Sequence, residues 1–230
     1  MSKICSVAID GPAGAGKSTI AKAVAARFGF IYVDTGAIYR TVGLAAKRAG
    51  VDPHDGPGVE ALLPGLSVRF DYGPDGTQRM FLDGEDVSKA IRQPEISMYA
   101  SAVSAIPAVR AYLLDMQRDM AKTNSVVMDG RDIGTVVLPN AGLKMFLTAS
   151  LEARAKRRMA ELLDKGESCT LEEVTGDMAL RDKNDSSRAA APLKAADDAV
   201  PVDTTDMTLG ESIEYVCRLV RERFGLEERA

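Results

Sequence analysis

The chain has 230 residues, with 29 Lys and Arg against 33 Asp and Glu, for a formal net charge of -4. Hydrophobic residues make up 46% and charged ones 27%, which excludes collagen-like, mucin-like and disordered chains. The acidic balance argues against a nucleic-acid binder, and one histidine (His54) with three cysteines (Cys5, Cys169, Cys217) leaves little for a zinc site or a histidine triad. Among the cations, Arg outnumbers Lys by 18 to 11. Arg is the planar fork that grips phosphate with two bonds.

The three scattered cysteines imply no disulfide framework. The N-terminus lacks the apolar core and cleavage site of a signal peptide, and no apolar run approaches the roughly 18 to 20 residues of a membrane span. The protein is therefore expected to be cytoplasmic and soluble.

Residues 4–10, ICSVAID, form an apolar run that ends at a Gly/Pro-rich turn, as a buried parallel strand does. Apolar residues at Ile20, Ala23, Val24 and Phe28 have helical spacing over 18–28. A strand over 30–33 ends at Asp34, and a helix over 37–48 closes at Gly50. Residues 52–58 form a breaker-rich turn. Strands over 66–72 and 78–82 flank the turn 73–76, and Asp83-Gly84 turns again into 85–87. Two helices over 94–104 and 107–122 each carry Pro near their start. Strands over 125–128 and 143–147, helices over 151–163 and 170–180, a mobile polar run 181–188, a strand over 199–202 and an amphipathic helix over 209–224 complete the chain. Strands alternating with helices predict an α/β fold with a parallel sheet flanked by helices. The expected organisation is one domain over 1–230. It carries a small antiparallel β insert at about 65–90 that binds the acceptor, and a helical lid at about 155–190.

Gly11-Pro12-Ala13-Gly14-Ala15-Gly16-Lys17-Ser18 fits G-x-x-x-x-G-K-[ST], after a strand and before a helix. Glycines let the backbone turn its N–H groups onto an anion. Lys17 is a point cation for the β- and γ-phosphates, Ser18 can place a hydroxyl on Mg²⁺, and Thr19 lies beside the phosphate chain. The pattern implies ATP with Mg²⁺ but leaves kinase, GTPase and motor ATPase open. A GTPase needs Asn-Lys-x-Asp, and the nearest string is Asp182-Lys183-Asn184-Asp185 in a polar run. A motor ATPase needs a strand ending in Asp-Glu, whereas the strand at 125–128 is followed by Asp129-Gly130. A small-molecule kinase with arginines for a phosphorylated acceptor fits better.

Three further strings carry this choice: Asp34-Thr-Gly-Ala-Ile-Tyr39-Arg40, Asp129-Gly-Arg131-Asp132-Ile-Gly-Thr, and Arg181-Asp-Lys-Asn-Asp185-Ser-Ser-Arg188. Together with the phosphate loop they resemble the bacterial cytidylate kinases of the nucleoside monophosphate kinase group, over nearly the whole chain. The resemblance implies a P-loop kinase that phosphorylates CMP and dCMP from ATP. By position it implies that Arg40, Arg131 and Arg188 hold the acceptor phosphate. It implies that Ser101, Arg110 and Asp132 read the base, and that Arg181 and Asp185 meet the sugar or the approaching phosphates. Thr35 and Tyr39 are expected to line the acceptor site, Arg157 is assigned to ATP among the helix arginines Arg154, Arg157 and Arg158, and Asp129 is a candidate for holding Mg²⁺ through water. The catalytic set is then Lys17, Arg131, Asp132, Arg181 and Arg188.

Cytosine chemistry agrees: a carboxylate accepts from the N4 amine, and Arg donates to N3 or O2, whereas uracil presents the opposite pattern at both positions. Thr35 stands where many relatives have Ser, and Asn184 and Ser186 where they often carry more charge. A different monophosphate kinase, or a nucleotide-binding regulatory module without an acceptor, are the competing readings. The expected partners are ATP and CMP or dCMP, with neither nucleic acid nor membrane, and the chain is expected to act as a monomer.

Overall fold

A computed structural model describes residues 4–164 and 166–227. Lys165, within the expected lid, lies outside the described residues. The chain divides into two compact units, the first formed by 1–32 and 121–230, the second by 33–120.

The first unit is built on a five-stranded sheet in the order β2-β6-β1-β7-β8. The strands are β1 (Ser6–Asp10), β2 (Ile31–Asp34), β6 (Val126–Gly130), β7 (Leu143–Thr148) and β8 (Val200–Asp203). β6, β1, β7 and β8 pair in parallel. Two β-branched or apolar faces per strand explain the choice: Val7, Ile9, Val127, Met145 and Leu147 are all buried, as strands covered on both sides require. Helices α1 (Lys17–Phe28) and α8 (Leu209–Phe224) supply Ile20, Val24, Val216 and Val220 to the same core. Helices α6 (Leu151–Asp164) and α7 (Leu171–Ser187) pack on each other through Ala155, Val174 and Met178. The register sets Ile9 beside Asp129 and Asp10 beside Gly130. The phosphate loop and the string after β6 therefore leave the sheet at the same carboxyl edge, where parallel sheets bind ligands.

The second unit holds α2 (Thr35–Arg48), α3 (Gly56–Leu62), α4 (Pro94–Val103) and α5 (Pro107–Thr123, its last residues passing into the first unit). It also holds an antiparallel sheet of β3 (Val68–Tyr72), β4 (Gln78–Leu82) and β5 (Glu85–Asp86). The expected insert at 65–90 lies inside this unit. Among the described residues, no helix is long and apolar enough to cross a membrane.

Three elements differ from the sequence expectation. α2 starts at Thr35 rather than Ala37, because the Asp34 carboxylate accepts from the Ala37 amide and caps the helix. α3 occupies part of the stretch expected as a turn. Asp55 caps it by accepting from the Gly58 amide, and Pro57 sits in its first turn, where a missing N–H costs nothing. α7 runs to Ser187, so the expected mobile run after Leu180 is helix. A Thr170–Glu173 capping box starts it. Its polar end is held by ion pairs from Asp182 to Arg154 and from Asp185 to Arg131.

Candidate active site

The phosphate loop is a glycine geometry. Gly11 has φ 149°, and a Cβ there would collide with the Leu147 carbonyl of β7. Gly16 has φ 88° at the start of α1, a left-handed value that L side chains avoid. Lys17 is buried, and its ammonium donates to the Pro12 carbonyl at 2.7 Å, folding the loop around its own side chain. Burial, and then the neighbouring Arg131 charge, hold the Lys17 pKa well below the usual lysine value. An incoming polyanion would favour the charged form and so offset both effects.

Ser18 donates to Asp129 at 2.8 Å, and the Tyr32 hydroxyl donates to the other oxygen of the same carboxylate at 2.8 Å. A hydroxyl and a carboxylate already within hydrogen-bond reach of each other form an all-oxygen donor pair. That pair fits a Mg²⁺ ion that keeps most of its water. Among the described residues, no cluster of three or more His, Cys, Asp or Glu could enclose a metal ion by itself. The phosphate groups of a nucleotide would have to complete such a shell.

Arg154, on α6, braces the loop from beneath. Its guanidinium donates to the Ala13 carbonyl at 2.9 Å and to the Ala149 carbonyl at 2.9 Å, and pairs with Asp182 of α7 at 2.7 Å. Arg157 donates instead to Thr204 and to the Met207 carbonyl. Arg158 pairs with Glu161. Of the three helix arginines, Arg154 is the one in contact with the phosphate loop.

Beyond β6 the first unit gathers five of the expected acceptor residues: Arg131, Asp132, Arg181, Asp185 and Arg188. Arg131 pairs with Asp185 at 2.7 Å, and Arg188 reaches Asp132 at 3.3 Å with both side chains almost fully buried. The Asp185 carboxyl feels burial first, which raises its pKa. The charges of Arg131, Arg181 and Arg188 outweigh that and hold it below the ordinary value. Arg181 and Arg131 both lie close enough to bear on Lys17. The result is a cationic region alternating guanidinium and carboxylate, suited to a phosphorylated molecule.

The second unit gathers the rest. Arg40 reaches back six residues along α2 to pair with Asp34 at 3.0 Å, and Arg92 pairs with the same oxygen at 3.0 Å. Gln78 of β4 accepts from the Asp34 amide and donates to its carbonyl, so the residue is held through main chain and side chain alike. Burial works to raise the Asp34 pKa, but Arg40, Arg92 and the Ala37 amide bring it below the usual value. Thr35 opens α2 and is buried, as is Tyr39 one turn on. Arg110 is buried, donates to the Ser104 carbonyl at 3.2 Å and lies 5.6 Å over the Tyr39 ring. The Ser101 carbonyl accepts from the Ser104 hydroxyl, which ties this turn to Arg110.

Residues 7–222 match the family model described as cytidylate kinase. A cytidylate kinase of Caldicellulosiruptor bescii is 50% identical over 219 residues, covering 95% of this chain and 96% of that protein. The chain belongs to the cytidylate kinase family. A second relative named cytidylate kinase, from Thermosipho melanesiensis, is 48% identical over 222 residues, covering 96% of this chain and 99% of its own. The crystal structure of an uncharacterized protein from Eubacterium ventriosum superposes with a TM-score of 0.52 at 12% identity, covering 97% of this chain and 99% of that one. That likeness concerns the fold alone.

Family membership accords with the strings read from sequence, but several residues of these networks escaped that reading. Asp10, Tyr32, Gln78, Arg92 and Asp182 all act through contacts distant in sequence or on another element. Only Asp10 left a local trace, a carboxylate at the end of a buried apolar strand.

Proposed function

We propose that this chain transfers the γ-phosphoryl group of ATP to CMP, and also to dCMP, giving CDP or dCDP and ADP. The observation that carries the reading is the phosphate cradle of Gly11 to Ser18 in the same unit as the paired Arg131–Asp185 and Arg188–Asp132 network. The roughly half-identical cytidylate kinases support the acceptor's identity.

The residues divide the work. Backbone N–H groups of Gly11, Pro12-flanked Ala13, Gly14, Ala15 and Gly16 face the donor phosphates, and Lys17 places its charge on the β- and γ-groups. Thr19 and, on α6, Arg157 support the nucleotide on its flank. Ser18, and Asp129 through water, would hold Mg²⁺; when bound, that ion supplies charge neutralisation across the β- and γ-oxygens. Arg131 and Arg188 offer their forks to the acceptor phosphate, the role that the family strings also assign to Arg40. That anion must otherwise approach a polyanion against repulsion. No general base is needed, since the acceptor oxygen is already anionic near neutral pH. Rate comes from positioning and charge stabilisation.

For the base, Asp132 is the acceptor for the cytosine N4 amine; Arg110, which lies over the Tyr39 ring, is assigned as donor to N3 or O2, and Ser101 is assigned to the base as well. Thr35 adds a hydroxyl, and Arg181 and Asp185 take the sugar or the moving phosphate. A site made of such bonds rejects an analogue of the wrong pattern by as much as about 10⁴-fold.

A coupled ADP-release assay across CMP, dCMP, UMP and AMP tests the assignment. CMP and dCMP should give the highest kcat/KM. Faster turnover of UMP or AMP would refute it, and ATP binding with no transfer to any monophosphate would make the chain a regulatory module.

A further inference from the structure

Asp10 closes β1, immediately before the first glycine of the phosphate loop, and is 3% exposed. Its two carboxylate oxygens accept from the Ile133 and Gly134 amides, each at 2.7 Å. Those amides open the short helical turn Ile133–Val137. The first amides of any helical turn lack partners within it. The residue in the capping position is Asp132, whose carbonyl accepts from the Val136 and Val137 amides at 2.9 and 3.2 Å.

Asp is among the strongest capping residues, and it caps by accepting an amide two or three positions on. Yet the Asp132 side chain makes no capping bond; it reaches Arg188 at 3.3 Å. The Gly134 amide it would ordinarily take is occupied by Asp10. The register of β1 on β6, Asp10 beside Gly130, brings the two carboxylates to the same turn. Burial pushes the Asp10 pKa up to about 6, and the like charge of Asp132 adds a smaller push in the same direction.

We propose that Asp10 is a positioning residue for nucleobase recognition: it caps the 133–137 turn in place of Asp132 and so keeps the Asp132 carboxylate turned toward the acceptor base. The proposal rests on the reading of Asp132 as the acceptor of the cytosine amine. Without Asp10 the Ile133 and Gly134 amides would be left buried without acceptors. The Gly134 amide would then be open to the Asp132 carboxylate, which sits in the capping position, at the expense of its place facing the base.

The variants D10N, D132N and the double variant test this, with initial rates for CMP and UMP at saturating ATP and Mg²⁺. Asn keeps one acceptor oxygen but points an amine at the second amide, so D10N breaks half of the cap without emptying the site. The readout is the ratio of kcat/KM for CMP to that for UMP, which does not depend on the fraction of folded enzyme. D132N should lower the ratio roughly 10- to 100-fold. D10N should lower it by a similar factor, through KM for CMP, and the double variant should be no worse than D132N alone. An unchanged ratio in D10N beside a reduced one in D132N would overturn the proposal, as would losses that multiply in the double variant. An unchanged ratio in D132N would overturn the base reading itself. Should D10N not fold, D10S, whose hydroxyl oxygen accepts from one of the two amides, carries the same comparison.

Discussion

Replacing Arg154 with Met tests whether the phosphate loop is held from below by a buried cation. Met keeps the unbranched stem and removes the guanidinium, so the packing of the stem is retained while three acceptors lose their donor. Two of them are the backbone carbonyls of Ala13 and Ala149, and the third is Asp182. Asp182 has one oxygen already buried without a hydrogen-bond partner, so the loss would leave it with little compensation. Breaking a buried pair by deleting one member costs about 3–5 kcal/mol. The Asp182 side chain is 22% exposed and water can reach part of it, so the lower end applies. A loss of about 3 kcal/mol lowers Tm by roughly 6–12 °C in a chain of this size. Urea titration of R154M at pH 7 measures the first quantity and a thermal scan the second. KM for ATP should rise in parallel, because the Ala13 carbonyl belongs to the loop. The double variant R154M/D182N should recover about 1 kcal/mol, since it removes the stranded charge. R158M serves as the control: Arg158 makes an exposed pair with Glu161, worth under about 0.5 kcal/mol. A Tm drop below about 2 °C for R154M, or no recovery in the double variant, would refute the reasoning.

Two further predictions concern the glycines and the second unit. G11A drives a methyl group into the Leu147 carbonyl at φ 149° and should cost several kcal/mol or abolish soluble expression. G16A, whose Cβ would meet nothing nearer than the Ile20 side chain at 3.7 Å, should fold and lose only about 1–2 kcal/mol. Equal urea midpoints for the two variants would contradict the packing argument. Asp34 has a folded pKa below its unfolded value, so its stabilising effect is complete above the unfolded pKa and is lost as pH falls through the folded one. D34N should therefore be less stable than wild type at pH 7, by about 2–4 kcal/mol, since it strands Arg40 and Arg92. The gap should narrow on acidification below about pH 4, where wild type protonates too. A gap constant from pH 7 to pH 3 in urea unfolding would show that the carboxylate charge is not what matters.

The fold was legible where local rules dominate. The phosphate loop declares itself because each fixed glycine answers to a backbone need, as the Gly11 and Gly16 conformations bear out. The parallel sheet follows from uninterrupted apolar strands such as Val126 to Met128. Errors arose where polar residues fold through distant partners. The end of α7, rich in Asp, Lys, Asn and Ser, has no apolar stripe to announce it. It is helical because Arg154 and Arg131, on other elements, take its carboxylates. The start of α3 was obscured by its Gly and Pro content, although Asp55 followed by Pro57 is a helix-start signal in its own right. The arginines of the candidate site were legible as types in strings. Their pairings were not, because Arg131 meets Asp185 54 positions away, a distance no local pattern spans.

Those carboxylate partners bear on how an acidic protein can offer a cationic site. Arg40, Arg131 and Arg188 each face a buried or nearly buried Asp, namely Asp34, Asp185 and Asp132. A guanidinium has five N–H donors in a fixed plane, and a single carboxylate contact engages only one edge of them. The partner thus fixes the direction of the fork before any phosphate arrives, and it reduces repulsion between neighbouring arginines, a repulsion that also bears on Lys17. Lys in the same positions would keep the charge but lose the second edge, so carboxylate and phosphate would compete for one point. The cost of the arrangement is weaker net attraction for an anion. That weakening suits a transferase, which must release a diphosphate product carrying more charge than the acceptor it bound. On this argument the excess of Arg over Lys and the net charge of -4 belong together. Each of these arginines comes with an acid that aims its fork, and the overall charge therefore says little about the local sign.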